Sequence, residues 1–389
     1  MPTRDLDVVL FGATGFTGAL TAEYLAQHAP AGLRWALAGR NPEKLAAVRD
    51  RLVAIDPGLE DLELLTADAA DREALAAVAS RTRVVATTVG PYLTFGEPLV
   101  AACAAAGTGY VDLAGESEFV NRMYVAHHET AVRTGARIVH ACGFDSIPYD
   151  LGAYFTVHHL PSDRPITLRG VVRAGGMVSG GTFHSALTAL SRHRQMREAA
   201  AERRELEARP VGRSSRAVRS KPRRDAELGY WLLPLPTIDP LIVARSGKAL
   251  PAYGPEFRYA HFAGTTSLRY AVGGVATVAA LGAAAQVKPL RDLLLGRIRP
   301  GEGPDDSRRE KSWFTVDFVG DAGDVRIHTR VSGGDPGYGE TAKMLAESAL
   351  CLALDDNPDV AGQLTTAQAM GDQLLARLQK AGIRFEIVA

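Results

Sequence analysis

The chain is poor in cysteine. Cys103, Cys142 and Cys351 are the only three in 389 residues. They are odd in number and far apart, which excludes a disulfide framework and a Cys-x-x-Cys metal knuckle. A reducing, cytoplasmic setting is therefore expected. Net charge is missing as well: 44 Lys and Arg balance 44 Asp and Glu, which argues against a general nucleic-acid binder but leaves room for a local basic patch. No signal peptide is visible, because Met1-Pro2-Thr3-Arg4-Asp5 runs into the first strand without an apolar stretch between. Leucine is scarce in the uncharged run from Tyr270 to Val287, bracketed by Arg269 and Lys288. A run of alanine and glycine fits a buried or surface-docked helix better than a membrane span. Peripheral lipid contact through residues 270–287 stays open.

Glycine is abundant, and three glycines organise the start of the chain. Val8-Val9-Leu10-Phe11 reads as a strand that breaks into Gly12-Ala13-Thr14-Gly15-Phe16-Thr17-Gly18 and then a helix. Gly12 lets the chain turn, Gly15 leaves backbone N–H groups open to a pyrophosphate, and Gly18 lets helix and strand pack closely. The helix N-terminus would face the phosphates with unpaired donors and partial positive charge. About twenty residues on, a second strand, Trp35 to Ala38, ends in Gly39-Arg40, where the ribose is read. Arg40 is a donor suited to a 2′-phosphate, where an NAD enzyme would carry Asp or Glu, so NADP(H) is the expected cofactor. Asp68, at the end of a third strand, is placed either to meet the adenine or to cap the segment after Asp71.

Further short apolar strands at Val84–Val89, Tyr110–Leu113 and Arg137–Ala141 alternate with helical stretches. That order predicts an α/β fold with a doubly wound parallel sheet over residues 1–150. The fourth strand opens onto a cleft at Val89, Gly90, Pro91 and Tyr92. A second, α+β domain is expected over 151–335. It would hold a strand at Leu168–Val172, a helix from about Gly181, and an antiparallel hairpin from Trp313–Phe318 and Val325–Val331. Between Arg209 and Arg224 lie seven basic residues and no acid, which predicts a mobile basic surface loop near 209–225. Apolar stripes over Glu340–Leu354 and Ala369–Leu378 predict C-terminal helices, within 336–389, that pack back on the first domain.

Taken together, Gly12–Gly18, Ala38-Gly39-Arg40, Val89-Gly90-Pro91-Tyr92, Tyr110–Glu116, Gly143-Phe144-Asp145-Ser146-Ile147-Pro148, Gly334-Asp335-Pro336-Gly337-Tyr338 and Ala369-Met370-Gly371-Asp372 resemble the saccharopine dehydrogenase superfamily. They are most similar to its enoyl reductase subfamily, whose members act in trans in phthiocerol and phenolphthiocerol lipid biosynthesis. The resemblance implies an NADP-binding Rossmann domain and reduction of an unsaturated acyl or polyketide thioester, carried on a carrier domain of a polyketide synthase. It supplies no catalytic residue. The lysine and histidine used by lysine-pathway members have no counterpart on this chain.

Such a reduction needs a hydride at Cβ, a donor for the enolate oxygen and a proton for Cα. Tyr92 is the expected oxyanion donor, with a packed aromatic as the alternative. His140 and Ser146 are candidates for the proton relay, and Asp145 is expected to order its turn. No metal site is expected. Two other functions remain open at this point: a saccharopine-type amino-acid dehydrogenase, for which Arg169 and Arg173 are too few to hold several carboxylates, and a non-catalytic NADP-binding scaffold at a lipid surface.

Overall fold

The computed structural model describes residues 4–175, 187–188, 190–287, 289–291, 293 and 309–389. The strands in chain order are β1 (Leu6–Phe11), β2 (Trp35–Gly39), β3 (Glu63–Thr66), β4 (Thr82–Thr87), β5 (Gly109–Asp112), β6 (Arg137–Val139), β7 (Ile166–Gly175), β8 (Ser214–Ala217), β9 (Arg223–Arg224), β10 (Trp231–Pro234), β11 (Glu256–Thr265), β12 (Trp313–Ala322), β13 (Val325–Gly333), β14 (Gly362–Leu364) and β15 (Arg384–Ile387). The first sheet is parallel in every pairing and ordered β14-β6-β5-β4-β1-β2-β3. The runs Val8–Phe11, Trp35–Ala38 and Val84–Ala86 are apolar on both faces, as strands covered on both sides must be. On β1, Val8 and Leu10 join one core, and Val9 and Phe11 join the other.

The second sheet runs β15-β13-β12-β7-β11-β10-β9, with β8 paired to β11. The expected hairpin is present: β12 and β13 pair antiparallel from Phe314 with Gly333 to Ala322 with Val325. Helix Ile147–Val157 links the sheets and packs on β12 and β13. An added Cβ on its Gly152 would stand 2.3 Å from the Phe318 ring, so that contact is as close as backbone permits. The helix expected from about Gly181 begins outside the described residues.

Three expectations are corrected. The basic stretch is not a free loop: Ser214–Ala217 pairs parallel to β11, and Arg223–Arg224 pairs antiparallel to β10. Residues 336–389 are not only helical, because Gly362–Leu364 extends the first sheet beside β6 and Arg384–Ile387 extends the second beside β13. The last helix does not run unbroken from Ala369. Gly371 takes φ +36 and divides Thr366–Ala369 from Gly371–Lys380. Helix Gly339–Leu354 does pack against helix Phe16–His28 and strands β1, β4 and β5, as expected. Helix Leu268–Gln286 docks on β10, and no helix among the described residues is long and apolar enough to cross a membrane.

One buried ion cluster joins these parts. Glu207 receives Arg203, Arg245 at 2.9 Å and Lys248 at 2.9 Å, while Arg245 also donates to the Gln363 carbonyl of β14 at 3.0 Å. Burial opposes ionisation of Glu207, yet Arg245 and Arg203 outweigh it and hold the carboxyl at about 2. Glu207→Gln should leave two buried guanidinium groups uncompensated and cost about 3–5 kcal/mol in denaturant unfolding. The pKa is lower in the folded state, so this stabilisation is present above the ordinary 4.5 and is lost as pH falls toward about 2. Acid unfolding of the wild type, but not of the Gln variant, should show that loss.

Candidate active site

The turn between β1 and helix Phe16–His28 divides three jobs among three glycines. Gly12 holds φ +92, and its N–H donates to the Ala38 carbonyl at 2.8 Å. A Cβ on Gly18 would lie 2.2 Å from the Gly12 carbonyl oxygen, so helix and turn touch backbone to backbone. A Cβ on Gly15 would meet no described atom closer than 3.5 Å. Nothing inside the protein demands glycine at 15. The free space and the lack of a side-chain cap on this helix instead suit an anionic group seated on its N–H donors. Ala13 is buried, Thr14 and Gly15 are exposed, and Phe16 and Thr17 are partly covered.

Arg40 follows β2 and is exposed, with no ion pair or hydrogen bond among the described residues. An unpaired guanidinium at that strand end fits a 2′-phosphate. Asp68 is exposed and folds onto its own turn, accepting from the Ala70 N–H at 2.9 Å. The cap of the following helix is Asp71, which accepts from Glu73 and Ala74. On the other side of β1, Thr88 donates to the Gly12 carbonyl at 3.1 Å, and Val89, Gly90 and Pro91 lead away along the sheet edge, joined by a cis Gly90–Pro91 bond.

Past β4, β5 and β6 lies a buried hub that the sequence showed only as a pattern. The Asp112 carboxylate is fully buried and accepts from Tyr110 Oη, Ala114 N and Ala141 N, and it meets His140 Nδ1 at 2.7 Å. All three expected catalytic side chains lie beside this hub or the turn after it, and all three are buried. The single proton of the Tyr92 hydroxyl goes to the Thr87 carbonyl at 3.1 Å, and its oxygen accepts from Leu113 N. That hydroxyl joins β4 to β5 and has no proton left for an enolate oxygen, which corrects the oxyanion expectation. His140 is 1% exposed between the rings of Tyr110 and Phe119, and its Nε2 has no partner. Ser146 donates to the Asp145 carbonyl. Glu116, next along β5's exit, is buried with a bare Oε2, and burial pushes its carboxyl up to about 7.

The second sheet reaches this edge through Gly334–Tyr338, whose role sequence reasoning missed. Asp335 accepts from the Gly337 and Gly339 N–H groups and shapes the loop. Tyr338 then packs edge-on against Phe16 of the glycine turn at 4.8 Å. Thr341 accepts from Phe144 N at 3.3 Å, so the turn after β6 is fixed to the same loop. The Met370-Gly371-Asp372 block lies elsewhere, where Asp372 accepts from Tyr154. Arg169 is taken by Asp225 and Glu227, and Arg173 by Tyr230 and Trp313.

Gly15→Ala should leave the unfolding midpoint nearly unchanged and weaken dinucleotide binding, whereas Gly18→Ala should destabilise the fold itself. Thermal melts and cofactor-fluorescence titrations separate the two. Arg40→Ala should cut NADPH affinity roughly 10–150-fold, equivalent to about 1.5–3 kcal/mol, and leave NADH binding unchanged. An unaltered ratio between the two cofactors would remove the 2′-phosphate from Arg40.

Comparison with known proteins bears on the same residues. Residues 8–139 match the saccharopine dehydrogenase NADP binding domain. A trans-acting enoyl reductase of Mycobacterium tuberculosis is 37% identical, with 98% of this chain and 97% of that protein covered. A second Mycobacterium tuberculosis protein, which carries that name provisionally, is 41% identical over the same shares. Among solved structures, apo saccharopine dehydrogenase (L-Glu forming) from Saccharomyces cerevisiae shares the fold, with a TM-score of 0.57 at 13% identity over 98% of this chain and 99% of that one. The chain belongs to the saccharopine dehydrogenase family, and NADP(H) is its cofactor.

Proposed function

We propose that this protein is a trans-acting enoyl reductase that uses NADPH to saturate the α,β double bond of an acyl or polyketide thioester in lipid biosynthesis. The observation that carries this reading is the 37–41% identity, over 98% of the chain, to mycobacterial proteins of that name. The site's chemistry supports it. Gly12–Gly18 offers uncapped N–H donors for a pyrophosphate, and Arg40 offers a free cation for the 2′-phosphate. Bound NADPH supplies the hydride. The chain's own task is to orient the reactants and exclude water, and the Asp112 hub with Tyr92 keeps the exits of β4, β5 and β6 rigid for that purpose. An amino-acid dehydrogenase is less well supported, because Arg169 and Arg173 are already engaged inside the protein.

A substrate tethered to an acidic carrier domain would meet the basic stretch. Arg213 donates to the Gly247 and Leu250 carbonyls and is structural, and Arg216 pairs with Glu256. Arg219, Lys221 and Arg224 are exposed and carry no ion pair among the described residues. They are the cations suited to steering an encounter.

NADPH oxidation would be followed with an enoyl thioester on a carrier domain, on a small free thiol, and with saccharopine-type amino acids in the reverse direction. Turnover of the enoyl substrates alone is expected. Absence of it alongside amino-acid oxidation would overturn the assignment. Replacing Arg219, Lys221 and Arg224 with glutamine should lower kcat/KM on the carrier-bound substrate only, and the loss should shrink as salt rises. Equal rates of mutant and wild type on both substrates would leave the stretch without a steering role.

A further inference from the structure

The turn after β6 carries an acid that no other group uses. Asp145 is partly exposed on the sheet edge where the cofactor turn lies, and its carboxyl has no hydrogen bond or ion pair among the described residues. It does not order its turn, contrary to the sequence expectation. Instead the Ser146 hydroxyl bonds the Asp145 backbone carbonyl, and Ser146 and Ile147 N–H groups close on Gly143.

Toward the second sheet lies a run of buried polar groups with no Lys or Arg ion pair among the described residues. Asp239, the first residue of helix Asp239–Ala249, is 2% exposed. One of its oxygens lies 3.6 Å from His261 Nε2, and the other has no partner. His261, on β11, meets Tyr259 Oη through Nδ1 at 3.0 Å, and the Tyr149 ring stands edge-on to it at 4.8 Å. Asp239 is within electrostatic reach of Asp145, and so are Glu116 and Tyr149, while the Thr237 and Ser146 hydroxyls favour the ionised form of Asp239. Burial keeps His261 neutral, down to about 3, and raises the Asp239 carboxyl well above its usual range. Burial also raises Asp145 to about 6, close to the pH at which a general acid works best.

We propose that Asp145 is the proton donor to Cα in the reduction, and that Asp239, backed by His261 and Tyr259, is a positioning residue that keeps a proton available to it. This rests on the enoyl reductase reading given above. Once hydride from NADPH has added to Cβ, the enolate's electron pair at Cα takes the Asp145 proton. The carboxyl O–H bond breaks, a Cα–H bond forms, and the carboxylate left behind regains a proton from water. The two electrons come from NADPH, so the step balances.

Asp145→Asn removes the proton and breaks no bond of the fold. It should lower kcat by roughly 10²–10⁴-fold while the melting temperature and NADPH affinity stay at wild-type values. Turnover at the wild-type rate by a folded Asp145→Asn would overturn the proposal. If Asp145→Asn does not fold, Asp145→Glu is used, with retained turnover and a displaced alkaline limb of the pH–kcat profile expected; an unmoved limb counts against it.

A readout independent of turnover is the ¹³C-carboxyl titration of the free enzyme. Asp145 and Asp239 should titrate as a coupled pair in two steps, and Asp239→Asn should leave a single step. Simple titration of Asp145 near its ordinary value of about 3.9 in both proteins would end the idea. Failure of the wild type to reduce any enoyl thioester would strike the functional reading instead, and the titration would still show whether the two carboxyls are coupled.

Discussion

The edge of the first sheet depends on one buried carboxylate. Asp112 has no exposure to water and, among the described residues, no ion pair with an arginine or lysine, yet it collects the Tyr110 hydroxyl, two backbone N–H groups and the His140 ring. A carboxylate in a dry interior needs this many partners. It fixes the exits of β5 and β6 relative to each other, and Tyr92 extends that fixation to β4 through Thr87 and Leu113. His140 is best understood as one of Asp112's partners.

With that edge rigid, the remaining parts of the cleft are set by close approach. Gly12 and Gly18 touch backbone to backbone, which places the first turn of helix Phe16–His28 at one height over the sheet. Tyr338 presses on Phe16 from the second sheet, and Thr341 holds the Phe144 backbone. The two sheets therefore share a seam of turns. Among the described residues, the guanidinium of Arg40 and the carboxyl of Asp145 carry no hydrogen bond or ion pair.

Most of the first sheet was legible in the sequence because its central strands are short apolar runs, β1 and β2 closed by glycine, and the glycine spacing located the cofactor turn. Other parts were not legible, for physical reasons. Ser214–Ala217 and Arg223–Arg224 have no apolar pattern and become strands only by pairing with β11 and β10. Gly362–Leu364 has Gln363 at its centre, whose amide donates to the Val120 carbonyl, so its strand character comes from its neighbours. Tyr92 and Ser146 stood at the right strand exits for catalysis, but sequence cannot tell where a hydroxyl proton is spent. Tyr338 carried a recognisable block with no visible purpose until β13 brought it to Phe16.

The crossing of residues 362–387 from one sheet to the other has a kinetic consequence. β14 borders the first sheet and β15 the second, and each pairs with a partner made long before it: Gly362 with Arg137, and Phe385 with Val331. During synthesis, β6 and β13 would each wait with an open hydrogen-bonding edge until this segment leaves the ribosome. An open edge is where another chain can pair. Arg137 places charge on the waiting edge of β6, and repulsion between like copies would slow such pairing there.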